Sequence, residues 1–169
     1  FALICCVPAF AAAQTEPSDF VDPRIGNVSQ LLVPTYPTFQ QPNQMMRMFP
    51  IKESYLSDEV QAFPLQVIRH RDAGLFRMRV SLGPVTSDVW EKKMPIDQDL
   101  EVVHPWHYET TLIEDDITVA FTPGKKAAIY RITFSEADQK NILVAGSGAM
   151  TTEVLGEHAF AMVEKYTYR

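Results

Sequence analysis

The chain has 169 residues and a mass of 19.1 kDa, room for one domain or for part of a larger one. Hydrophobic residues make up 46%, charged residues 21%, and the mean hydropathy is -0.09, values of a water-soluble globular chain that exclude disorder. The net charge is -6 and no Lys/Arg block interrupts the sequence, so nucleic acid is not expected as a partner.

Phe1 to Ala13 reads FALICCVPAFAAA and carries no charge. It is too short to span a membrane, which takes ~20 apolar residues, and it ends in small residues as signal peptidase requires. It reads as the apolar and cleavage regions of a secretory signal that has lost its Met and basic leader. A lipoprotein signal is the alternative, because Cys5 and Cys6 follow Leu3-Ile4; however, the residue before a lipid-bearing Cys is normally small. The expectation is an exported, periplasmic or extracellular protein that begins near Gln14 and has no membrane span. Both cysteines fall within residues 1–13, so residues 14–169 offer no disulfide, no Cys-ligated zinc site and no Cys nucleophile.

Residues 14–22 are a short polar leader. Residues 23–50 are poor in charge and contain Pro23, Pro34, Pro37, Pro42 and Pro50. That spacing forbids long helices and predicts extended segments and loops, and a loop of that length usually has a function. From residue 60 the pattern turns to period two. Phe76, Met78, Val80 and Leu82 alternate with Arg77, Arg79 and Ser81, which predicts a strand with one buried and one wet face. Ile117, Val119 and Phe121 alternate in the same way. Pro123-Gly124-Lys125-Lys126 reads as a turn, and Tyr130, Ile132 and Phe134 complete a hairpin. Further strands are predicted at Leu65–His70, Tyr108–Ile113, Asn141–Ala145 and Phe160–Tyr168. Many short strands without a helical stripe indicate an all-β fold, an antiparallel β-sandwich. The strand-like run at the end and the absent Met suggest a piece of a longer protein, with residues 14–169 an N-terminal sandwich domain incomplete at its C-terminal end.

The chemistry-bearing residues are sparse. His104 and His107 are the one close histidine pair, but Pro105 lies between them and odd strand spacing points to opposite faces, so ordinary histidines are expected rather than metal ligands. Asp97, Asp99 and Glu101 alternate like the start of a calcium loop but lack its Gly and distal Glu. Glu114-Asp115-Asp116 reads as a solvated turn. Trp90 and Trp106 are suited to stack on a sugar, or to pack the core or a sheet edge. No Gly-x-Ser-x-Gly, phosphate loop or dinucleotide fingerprint occurs. These features alone stop at an exported β-domain.

Four segments, in order, say more. Asp19-Phe-Val-Asp-Pro-Arg-Ile-Gly26 resembles the opening of mature glycoside hydrolase family 92 proteins. Pro42-Asn-Gln-Met-Met-Arg-Met-Phe-Pro50 falls where that family has Pro-Phe-Gly-Met and a later Pro; Pro42, Met45 and Pro50 match. Asp99-Leu-Glu101-Val-Val-His-Pro105-Trp-His-Tyr108 is similar to the family's Glu-x-x-x-Pro-Gly-Tyr-Tyr stretch, and the Thr118–Phe134 hairpin also looks like the family. The resemblance implies a two-domain enzyme with an N-terminal β-sandwich and a C-terminal (α/α) barrel. Such enzymes are mostly calcium-dependent, inverting exo-α-mannosidases acting on mannose-containing glycans. Inversion takes two carboxyl groups ~6.5–9.5 Å apart. The family places these, and its calcium, in the helical domain, so no catalytic residue and no metal ligand are expected in this chain, which alone should be inactive.

What the resemblance implies for the sandwich is a share in the pocket wall. By position the candidate substrate-binding residues are Asn43, Gln44, Arg47 and Glu101, and the partner is the protein's own C-terminal helical domain. The loop's polar groups are suited to sugar hydroxyls, or else to satisfying the loop itself. Asn43-Gln44 stand where the family commonly has Phe-Gly, and Trp106 where it has Gly, which leaves sugar and linkage open. The rival reading is a free-standing β-sandwich that binds carbohydrate or protein without catalysis.

Overall fold

The computed structural model describes residues 16–25, 37–54, 56–67, 75–146 and 148–165; the expected signal, residues 1–13, lies outside them. Among the described residues eleven strands follow in chain order. They are β1 (Ile51–Lys52), β2 (Glu59–Gln66), β3 (Leu75–Leu82), β4 (Met94–Pro95), β5 (Val102–His104), β6 (His107–Leu112), β7 (Ile117–Pro123), β8 (Ala128–Thr133), β9 (Lys140–Ala145), β10 (Met150–Gly156) and β11 (Ala159–Glu164). Helix among the described residues is confined to short 3-10 turns at Pro17–Phe20 and Gln98–Leu100. The all-β expectation holds, and every strand pair is antiparallel.

One sheet runs β1-β2-β3-β9, with β4 also on β2, and a second runs β5-β6-β7-β8. A shared core lies between them. Val60, Phe63, Met78 and Val80 from the first sheet meet Tyr108, Leu112, Ile117, Val119 and Phe121 from the second. Each such side chain contributes about 1.5–3 kcal/mol by leaving water. Period-two patterning produces this directly: Tyr108, Thr110 and Leu112 face inward on β6 while His107, Glu109 and Thr111 stay partly exposed. Met78, Val80, Val119 and Phe121 are buried as expected, and Ile132 and Phe134 pack against the core while partly exposed.

The segment after β4 joins the two sheets at a corner. The Ile96 amide donates to Asp58 O at 2.7 Å, and the Ile113 amide donates to Pro95 O at 2.9 Å, so Met94–Ile96 serves β2 on one side and β6 on the other. Tyr130 is a second tie: its hydroxyl donates to Pro64 O on the facing sheet at 2.7 Å, and burial pushes its pKa far up.

Strand β3 departs from the expected wet face. Residues 78–81 are all buried. Arg79 is 2% exposed, and its guanidinium donates to Gln61 O at 3.2 Å, to Trp90 O at 3.3 Å and to Lys92 O. The reason is tertiary. Residues 83–93 fold back over the outer face of the sheet and turn their carbonyls onto the guanidinium, whose stem is long enough to reach them. Burial pulls the Arg79 pKa down, yet an arginine keeps its charge. Arg131, by contrast, is exposed as expected.

Strands β10 and β11 form a separate hairpin exposed along most of its length. Glu164 anchors it, accepting from the Gly148 amide and the Phe76 amide, each at 3.1 Å.

Candidate functional site

The proline-rich loop is a closed clasp. Phe39 and Met48 pair as an isolated antiparallel bridge, with N–H to O distances of 2.8 and 3.2 Å. Both side chains are buried, with Phe49, and hold the loop in the core. Between them Gln41 to Gln44 form a turn, the Gln44 amide donating to Gln41 O at 3.3 Å. Pro42 occupies its second position and Asn43, at φ 60°, its third, the residue types a type II turn favours. The clasp is tied to both sheets. The Val67 amide at the end of β2 donates to Arg47 O at 2.8 Å, and the Met45 amide donates to Lys125 O, in the β7–β8 turn, at 2.9 Å.

Within this clasp the three loop candidates differ. The Gln44 amide is engaged internally: Nε2 donates to Gln41 Oε1 at 2.8 Å and to Pro123 O at 3.4 Å, and Oε1 accepts from the Gln41 amide at 3.0 Å. Gln44 therefore braces the loop. Arg47 Nε donates to Gln40 Oε1 at 3.1 Å, and its terminal nitrogens have no acceptor among the described residues. Asn43 is exposed at the tip.

Glu101 lies elsewhere, just before β5. Among the described residues no hydrogen bond links it to residues 42–47. Its Oε1 accepts from Lys52 Nζ at 3.1 Å and from the Tyr108 hydroxyl in a short hydrogen bond. The carboxylate is enclosed, with 4% of its side chain exposed. Burial, then the negative charge of Glu101, drives the Tyr108 pKa well above its ordinary value. In this setting Tyr108 is a permanent donor to Glu101.

Next to this triad stands the Asp22-Pro-Arg24 element. Arg24 Nε donates to both Asp22 oxygens at 3.0 Å, and its Nη2 donates to Oδ2 at 2.8 Å. These hydrogen bonds hold the Asp22 carboxyl below its ordinary range and raise the Arg24 pKa. The charge of Glu101 also acts on Arg24, and His104 acts on Asp22. The first and third family-like segments thus meet, while the second forms the clasp.

His104 and His107 are cross-strand partners flanking a two-residue Pro105-Trp106 turn, not residues on opposite faces of one strand, because the chain reverses between them. The His104 ring stacks on Trp106 with centroids 5.1 Å apart and planes 6° apart, and His107 Nδ1 lies 3.2 Å from Thr122 Oγ1. Asp97 caps a short 3-10 turn, accepting from the Asp99 amide at 2.9 Å, and Glu114–Asp116 form a turn with Asp116 at φ 49°. Among the described residues no three His, Cys, Asp or Glu side chains converge as a metal site. Sequence reasoning did not name Lys52 as the partner of Glu101. Lys52 sits in a two-residue strand, too short for any period to show.

The Glycosyl hydrolase family 92 N-terminal domain profile matches residues 20–169. Comparison with curated protein sequences gives no significant match. Among solved structures the chain is similar to a family GH92 inverting mannosidase from Bacteroides thetaiotaomicron VPI-5482, at 17% identity and TM-score 0.74, with 92% of this chain and 24% of that one covered. It is similar to a family GH92 α-mannosidase from Bacteroides thetaiotaomicron at 18% identity and TM-score 0.74, with 89% and 24% covered. A structure of that α-mannosidase in complex with mannoimidazole gives 18%, TM-score 0.69, and coverage of 86% and 22%. At these identities the likeness is one of fold, and the chain spans about a quarter of each of these proteins.

Proposed function

Since the chain belongs to the glycosyl hydrolase family 92 N-terminal domain family, we propose that it is the sandwich part of an exported glycosidase that releases mannose from mannose-containing glycans. In this reading catalysis, through two carboxyl groups and calcium, belongs to a helical domain outside these residues. The sandwich contributes pocket wall. The observation that carries its part is the clasp: a loop held to both sheets that leaves Asn43 exposed and the terminal nitrogens of Arg47, a partly exposed residue, without an acceptor among the described residues. A rigid loop with such donors can orient sugar hydroxyls at a smaller entropy cost than a mobile one. Gln44 supports that loop from within. Glu101, enclosed with Lys52 and Tyr108, holds the wall rather than the sugar.

The test uses the full-length protein on α-mannosides. It should release mannose and lose activity to a calcium chelator, and Arg47→Ala should lower turnover by about tenfold or more, the effect of losing a hydrogen bond to a charged group, with little change in Tm. Equal loss of turnover and Tm would make Arg47 structural only, and no release of mannose would reject the substrate class. N-terminal sequencing of exported protein should begin near Gln14; an intact Phe1 or a lipid on Cys5 or Cys6 would reject that cleavage.

A further inference from the structure

The outer face of the first sheet carries a cleft that the clasp and the triad do not use. Its volume is about 610 Å³, enough for a monosaccharide-sized ligand by comparison with small-molecule pockets of ~300–1,000 Å³. Its floor is made by β2 and β3 and its wall by residues 90–93. Among the described residues four cations line it, Arg77, Arg79, Lys92 and Lys93, against two carboxylates, Glu59 and Glu91. Lys93 already pairs with Glu59 at 2.7 Å, and Arg79 is committed to three backbone carbonyls.

Arg77 is different. Its Nε is buried and has no acceptor among the described residues. The register explains why. Arg77 lies opposite Pro64 on β2 and Ala145 on β9, and neither neighbour has a polar side chain to offer. A buried, unsatisfied donor on a charged group is costly, and such a group fits a site whose acceptor comes from a ligand.

We propose that this cleft binds a sugar acid, its carboxylate paired with the Arg77 guanidinium and its ring beside Trp90. The guanidinium fork matches a planar carboxylate. The excess of positive charge favours an anion. Trp90, partly buried against the core, also lines the cleft, and Gln61, exposed on β2, offers an amide for hydroxyl groups.

The experiment is calorimetric and NMR titration of the purified protein with glucuronate, glucose and inorganic phosphate. Glucuronate should bind with a Kd on the order of 1 mM, more weakly as salt rises, and more tightly than either control. Arg77→Gln should weaken it by about ten- to a hundredfold, and Trp90→Leu should also weaken it. If Arg77→Gln does not fold, the wild-type protein still decides: the Trp90 indole and Ala145 amide resonances should shift with glucuronate. Shifts confined to other residues overturn the proposal. So does unchanged affinity in a folded Arg77→Gln protein, or the absence of glucuronate binding. Phosphate binding as well as glucuronate, with Trp90→Leu without effect, would mark a bare anion site and overturn the sugar-acid assignment.

Discussion

Lys52 and Glu101 form an ion pair across the interior, Nζ to Oε1 at 3.1 Å, with 7% and 4% of their side chains exposed. The pair joins β1 of the first sheet to the entrance of β5 in the second, and the Tyr108 hydroxyl completes it. Two charges withdrawn from water are costly singly and tolerable together. Glu101→Ala should therefore cost about 3–5 kcal/mol, read by urea unfolding. Lys52→Met with Glu101→Leu should cost clearly less than the sum of the two single changes. Additive losses would show that the two charges are solvated independently.

Arg79 makes a related prediction on the other face. It satisfies the carbonyls of Gln61, Trp90 and Lys92 at once. Arg79→Met keeps most of the apolar stem and removes every donor, leaving buried acceptors unpaired at about 1–3 kcal/mol each. Unfolding in urea should show a loss of at least about 2 kcal/mol, and limited proteolysis should cut first within residues 83–93. Arg79→Lys should rescue only in part, since an ammonium cannot span three carbonyls in a fork. Full rescue by Lys would mean that charge alone holds the loop.

The strand pattern was legible wherever one face of a strand meets the core and the other meets water. Val119 and Phe121 on β7, and Tyr108 on β6, are buried as their alternation requires. Legibility fails where a distant segment covers the second face. Nothing local to Arg79 announces that residues 83–93 will fold over it, and period two reads it as exposed. It fails again at the reversal after His104, where Pro105-Trp106 makes the two histidines partners. For the site, resemblance pointed to the clasp and to Glu101. Only the fold shows that Gln44 bonds inward and that Glu101 is enclosed with Lys52, because both facts depend on contacts between segments far apart in sequence.

The buried tyrosines set an alkaline limit. Burial raises Tyr108 and Tyr130 above the ordinary 10.0, so the folded protein keeps both protons where the unfolded chain releases them. Their contribution is complete below pH 10 and is lost as pH rises toward the folded-state values. Thermal stability should fall above about pH 10, and Tyr130→Phe, which has no proton to lose, should flatten that fall relative to the parent protein. An identical slope in both would show that Tyr130 titrates normally.

Asn43 separates the shape of the clasp from its chemistry. The residue sits at φ 60°, where a side chain other than Asn or Asp is strained by about 1–2 kcal/mol while Gly is not. Asn43→Gly therefore removes the amide and keeps the turn, whereas Asn43→Ala removes the amide and strains the turn. By urea unfolding Asn43→Ala should be the less stable of the two. If the exposed amide meets a sugar hydroxyl, both variants of the full-length protein should lose turnover on α-mannosides by a similar factor. If the turn only places Arg47, Asn43→Gly should keep turnover and Asn43→Ala alone should lose it. Because Gln44 braces the same turn through Gln41 and Pro123, Gln44→Ala should then resemble Asn43→Ala in both stability and turnover. A Gln44→Ala protein of unchanged stability and reduced turnover would return Gln44 to direct contact with the sugar.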